Sequence, residues 1–118
     1  MSATAKKEHK SNRPARGGVA TFVEAIRQGL WEEMERDPTV FVIGEDVGAY
    51  GGAFKVTDGM LDEFGEGRVV DTPISEGAIV GAACGAALMG MKPVAEFQFI
   101  DFISCGFDLL TNYPAPQR

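Results

Sequence analysis

Cysteine and histidine are scarce in this 118-residue chain, and the few present stand apart: His9, Cys84 and Cys105. Neither cysteine forms a CxxC pair, which excludes a Cys/His zinc site. Both cysteines have apolar neighbours and read as buried free thiols. The chain also lacks a phosphate cradle. It has no GxxxxGK(S/T) run, and no GxGxxG follows a predicted strand. The longest uncharged stretch, residues 77–91, has 15 residues. That falls short of the roughly 18–20 that a membrane span needs. Positive charge is thin outside the first 18 residues. The chain holds 11 basic and 17 acidic side chains, a net of -6. Residues 1–18 take five of the bases and one acid, leaving six bases against 16 acids. A body so acidic does not attract nucleic acid.

What is present is ordinary globular material, 45% hydrophobic and 24% charged, enough for one small domain. Residues 1–18 carry almost no large apolar side chain and read as a disordered, solvated tail. They have no apolar core of a secretory signal, and Lys and Glu interrupt the Arg/Ser pattern of a transit peptide.

The rest alternates in character. Residues 20–36 place Phe22, Val23, Ile26, Leu30 and Met34 on one helical face, with Thr21 and Glu24 spaced as a capping box. Trp31 suits either the core or a partner surface. Residues 39–43 form a short β-branched run, read as a buried strand. Gly48 to Gly52 then reads as a surface turn. Residues 56–64 read as a second helix, capped by Thr57 and stopped by Gly65. Residues 68–71 predict a strand, 77–91 a helix, 93–99 a strand and 101–110 the start of a helix. Gly77, Gly81 and Gly85 make a flat stripe on the third helix, suited to close packing at a subunit contact.

This alternation predicts an α/β fold: a parallel sheet with helices on both faces. Ligands of such sheets gather outside the carboxyl ends of the strands. Here those ends are Glu45, residues 72–76 and residues 98–102. Glu76 opens the glycine-rich helix. One reading is an acid complementing the helix dipole. The other is a carboxyl in an apolar setting that holds a proton. Glu45 suits a solvated loop or the same crevice, where two carboxyls can share a proton. Phe97, Phe99 and Phe102 suit the core, or one of them stacks on a flat heterocycle.

The segments GEDV, the GG-F turn, FGEGRV, DTPISE, GAIVGAACGAALMG and KPVAEFQF with the following Asp-Phe occur in that order over about 90 residues. Together they resemble the β subunit of the decarboxylating component of pyruvate and branched-chain 2-oxo acid dehydrogenase complexes. The resemblance implies a transketolase-like pyrimidine-binding domain over residues 19–118, present here only in part. It implies thiamine diphosphate as cofactor, its magnesium and diphosphate held by an α subunit and its aminopyrimidine by this one. Glu76 then hydrogen-bonds a pyrimidine ring nitrogen and favours the imino tautomer, whose exocyclic nitrogen takes the thiazolium proton. Glu45 falls on an acidic proton path, Phe102 on the aromatic that stacks on the ring, and Gln98 close to it. The implied assembly is an α₂β₂ heterotetramer that takes a 2-oxo acid and passes the acyl group to a lipoyl acyltransferase. Its compartment would be the cytoplasm of a bacterium or the mitochondrial matrix of a eukaryote. The chain departs from the family in its ending, NYPAPQR, where Pro114 and Pro116 would break a helix. That departure and the short length predict a truncated product, inactive alone. The rival readings are a non-catalytic chain that only binds an α subunit, and another transketolase-like enzyme.

Overall fold

A computed structural model describes residues 18–113. The expected tail, Gly18 apart, and the two terminal prolines lie outside the described residues. Helix α1 (Phe22–Arg36) begins with the expected capping box: the Thr21 side chain accepts from the Glu24 N–H, and the Glu24 carboxylate from the Thr21 N–H. Asp37 ends it. Strand β1 (Val40–Glu45) follows, buried along its whole length. Helix α2 (Met60–Phe64), strand β2 (Val69–Thr72), helix α3 (Glu76–Leu88) and strand β3 (Lys92–Ala95) come next. A 3-10 turn (Ile100–Phe102) leads into α4 (Ile103–Asn112).

The sheet has three strands in the order β2-β1-β3. Both pairings of β1 are parallel, with Glu45 opposite Thr72 and Ile43 opposite Ala95. Successive side chains of β1 point to opposite faces. Val40 and Val42 join Trp31, Met34, Val47, Met60 and Val69 under α1 and α2. Phe41 and Ile43 join Ile79 and Ala83 under α3. Helices therefore cover both faces, as the alternation predicts. Trp31 belongs to the core: it is 1% exposed, stacks edge-on against Phe64 at 5.3 Å, and donates its indole N–H to Glu35.

Three expectations change. The second helix starts at Met60, after Gly59 in the left-handed region, so Thr57 is no cap. Its hydroxyl is buried without a partner. The loop before it is packed rather than a surface turn, with Gly48, Gly51 and Gly52 buried. Gly51 (φ 80°) leaves no room for a side chain, because a Cβ there would lie 2.7 Å from Asp58 Cα. Nor are the cysteines buried: Cys84 is half-buried and Cys105 exposed, because apolar neighbours in sequence do not decide which face of a helix a residue occupies. No described helix is long and apolar enough to cross a membrane.

The amino end of the sheet is tied down by Arg68. Its guanidinium donates to the carbonyls of Met34, Asp37 and Val40 at 2.6–2.9 Å, and lies over the Phe64 ring. Asp37 accepts from Lys92 at 2.5 Å and from Thr39, which holds its carboxyl well below the usual range.

Candidate functional site

At the opposite end, the strands deliver polar side chains to one mouth. Glu45 is the last residue of β1 and only 8% exposed. Its Oε1 accepts from the Ser75 N–H at 3.3 Å. Ser75 precedes α3 as its N-cap residue, and its side chain makes no capping bond. Glu76, half-buried, is the first residue of α3. The turn after β2 thus links the two acids singled out from sequence: Glu45 grips the residue before Glu76. The carboxylate of Glu76 sits where the helix dipole favours negative charge.

Thr72, opposite Glu45 on β2, has a buried hydroxyl with no hydrogen-bond partner. Next to it, Asp71 accepts from the Gly48 N–H at 2.6 Å. A Cβ at Gly48 would lie 2.3 Å from the Asp71 carboxylate, so a side chain there would displace Asp71 from this bond. The loop closes on itself through the Gly52 N–H to the Asp46 carbonyl, at 2.8 Å.

Beyond β3, Gln98 donates to the Asp46 carboxylate at 3.4 Å. Phe102 ends the 3-10 turn and is 41% exposed. Phe99 meets it edge-on at 5.8 Å, and Phe54 meets Phe99 at 5.7 Å. Gln98 thus reaches the residue after Glu45, while Phe102 follows in the turn beyond β3 and packs against Phe99.

Helix α4 lies against α3 at Gly106. A Cβ there would come 2.9 Å from Val80 Cγ2 and 3.5 Å from the Glu76 carbonyl. The glycine stripe of α3 faces the same helix. Cβ atoms at Gly77 and Gly81 would be 3.7 and 3.8 Å from Leu109, whereas Gly85 is open. Two of the three stripe positions thus pack within the chain.

Glu96 was not singled out from sequence. It follows β3, and its Oε2 is buried with no hydrogen-bond partner. Burial pushes its carboxyl above the usual range. The Glu45 backbone N–H acts against that rise, and the charges of Glu45 and Asp46 add to it. The available signal was an acid inside an apolar stretch, residues 93–99, expected to be buried.

Comparison with known proteins matches residues 19–118 to the family described as "Transketolase, pyrimidine binding domain". The 2-oxoisovalerate dehydrogenase subunit beta of Bacillus subtilis is 56% identical over 85 residues, 72% of this chain and 26% of that protein. The chloroplastic pyruvate dehydrogenase E1 component subunit beta-3 of Arabidopsis thaliana is 52% identical over 96 residues, 81% of this chain and 24% of that protein. The pyruvate dehydrogenase E1 component subunit beta of Acholeplasma laidlawii is 48% identical over 100 residues, 85% of this chain and 31% of that protein. The chain thus spans about a quarter to a third of the length of these relatives. A match over nearly the whole chain, on a parallel sheet of the expected topology, means that the chain belongs to the transketolase pyrimidine-binding-domain family.

Proposed function

We propose that this chain is the pyrimidine-binding part of a 2-oxo acid dehydrogenase β subunit, acting on pyruvate or a branched-chain 2-oxo acid. The observation that carries the reading is the Glu45–Ser75 contact, which sets Glu76 at the mouth of the parallel sheet. The mouth suits an aminopyrimidine chemically. It offers a carboxyl for a ring nitrogen, the amide of Gln98 and the ring face of Phe102. Two buried oxygens, Thr72 Oγ1 and Glu96 Oε2, still lack partners there.

Thiamine diphosphate, when bound, supplies the electron sink for decarboxylation. The residues of this chain bind and orient it. Glu76 holds or accepts a proton at the ring nitrogen, Glu45 fixes the turn that carries Glu76, and Phe102 stacks. An α subunit holds the magnesium and diphosphate in an α₂β₂ assembly, and a lipoyl acyltransferase accepts the product. Apolar side chains left exposed outside the two cores support such a partner: Leu88, Met89, Ile100 and Phe107. The compartment follows the host, bacterial cytoplasm or mitochondrial matrix. The name of the Arabidopsis relative adds the chloroplast.

The test is co-expression with the α subunit of a 2-oxo acid dehydrogenase, followed by titration calorimetry with thiamine diphosphate and magnesium. Co-purification and binding are expected. Glu76→Gln removes a charge-assisted hydrogen bond and should weaken binding by about 10- to 150-fold. Unchanged affinity in that variant, or no association with the α subunit, would defeat the reading.

A further inference from the structure

Glu96 engages the last three residues of β1 one after another. Its backbone N–H donates to the Ile43 carbonyl at 2.9 Å. Its side chain lies across Gly44, where a Cβ would come 2.7 Å from Glu96 Cβ and 2.8 Å from Oε2. Its carboxyl faces the Glu45 backbone N–H. Glycine at 44 is what lets Glu96 close over the strand. The contact is specific in chemistry as well as shape, since Oε2 is shielded from water and has no partner. A charge on such an oxygen is costly, whereas a proton on it is not.

We propose that Glu96 is a positioning residue for Glu45: it closes over Gly44 and fixes the end of β1, from which Glu45 reaches the Ser75 N–H. The proposal rests on the pyrimidine-site reading only for the purpose the positioning serves. The clamp itself is a property of this chain. The charged groups that face Glu96 are Glu45 and Asp46, both at the end of β1. The pocket that Glu96 helps to line is otherwise formed by uncharged residues of α1, the loop and β3, among them Ile26, Leu30, Thr57 and Val94, together with Gln98. Ionisation of Glu96 would meet the repulsion of Glu45 and Asp46 and would loosen the closure.

The experiment is an NMR pH titration of the full 118-residue chain. It follows the Glu96 side-chain carboxyl carbon and the Glu45 backbone amide together. The amide is expected to move with the Glu96 midpoint, which should lie above the ordinary glutamate value of 4.5. In Glu96→Gln, which keeps the shape but cannot ionise, that step should vanish from the Glu45 amide while its slow hydrogen exchange is kept. In Glu96→Ala, exchange at Glu45 should speed up by about tenfold, because the closure that shields its amide is gone. Gly44→Ala, which forces Glu96 aside, should do the same. A Glu45 amide that ignores the Glu96 titration overturns the clamp, and so does one that keeps its step in Glu96→Gln. A role in packing alone would move the exchange rates but not the pH step. Because no cofactor is present, failure here leaves the pyrimidine-site reading standing. Failure of cofactor binding leaves the clamp standing.

Discussion

The two ends of the same small sheet are built in opposite ways. At the amino end the strong polar groups are paired: Arg68 serves three carbonyls, and Asp37 is neutralised by Lys92. At the carboxyl end, the charges of Glu45 and Asp46 act on Glu96, and the buried Thr72 Oγ1 and Glu96 Oε2 go unpaired. A buried unpaired oxygen costs about 1–3 kcal/mol. Among the described residues, the two ends therefore differ in how far their polar groups are satisfied. The lesson is local: the amino end holds the strands, and the carboxyl end keeps polar atoms unsatisfied, as the proposed pyrimidine site requires.

That contrast can be broken first at Arg68. Arg68→Met should cost about 2–3 kcal/mol in urea denaturation, because it leaves buried carbonyls without a charged donor. A loss below the error of the measurement would mean that the amino end is not the anchor. Next comes Thr72→Val at the other end. It removes a buried hydroxyl that bonds to nothing and should raise stability by about 1 kcal/mol. A loss of stability would show that the hydroxyl is paired after all.

The finest distinction lies in pH. Asp37 has a depressed folded value, so its contribution is present above its unfolded value of 3.8 and fades as pH falls through the folded one. Glu96 has a raised folded value, so its contribution is full below its unfolded value of 4.5 and fades as pH rises through the folded one. Thermal midpoints measured between about pH 2 and 8 should therefore sag on both arms. Asp37→Asn should flatten only the acid arm, and Glu96→Gln only the other. If either variant flattened the opposite arm, the assignment of the two ends would be reversed.

Much of this was legible in the sequence, for reasons that particular residues make plain. The capping box of Thr21 and Glu24 is a contact three residues apart, so spacing alone reveals it. Glu45 and Glu76 were found because strands and helices of this alternation must end somewhere, and acids at those ends stand out. Glu96 was missed because the apolar stretch around it reads as one strand to residue 99, while pairing with β1 stops at Ala95. Helix α2 was drawn too long because Gly59, inside the predicted span, turns into the left-handed region, and the helix begins only after it. Cys105 has apolar neighbours in sequence, but only the phase of α4 against α3 decides which way it points.

Gly106 carries a consequence for how the mouth is spaced. It lies one turn after Phe102 and touches the first turn of α3, where Glu76 sits. The ring-bearing turn and the acid-bearing turn therefore approach each other where α4 carries no side chain of its own. Any side chain at 106 would wedge α4 off the first turn of α3. The spacing between Phe102 and Glu76 thus depends on one missing Cβ, although 26 positions separate them along the chain.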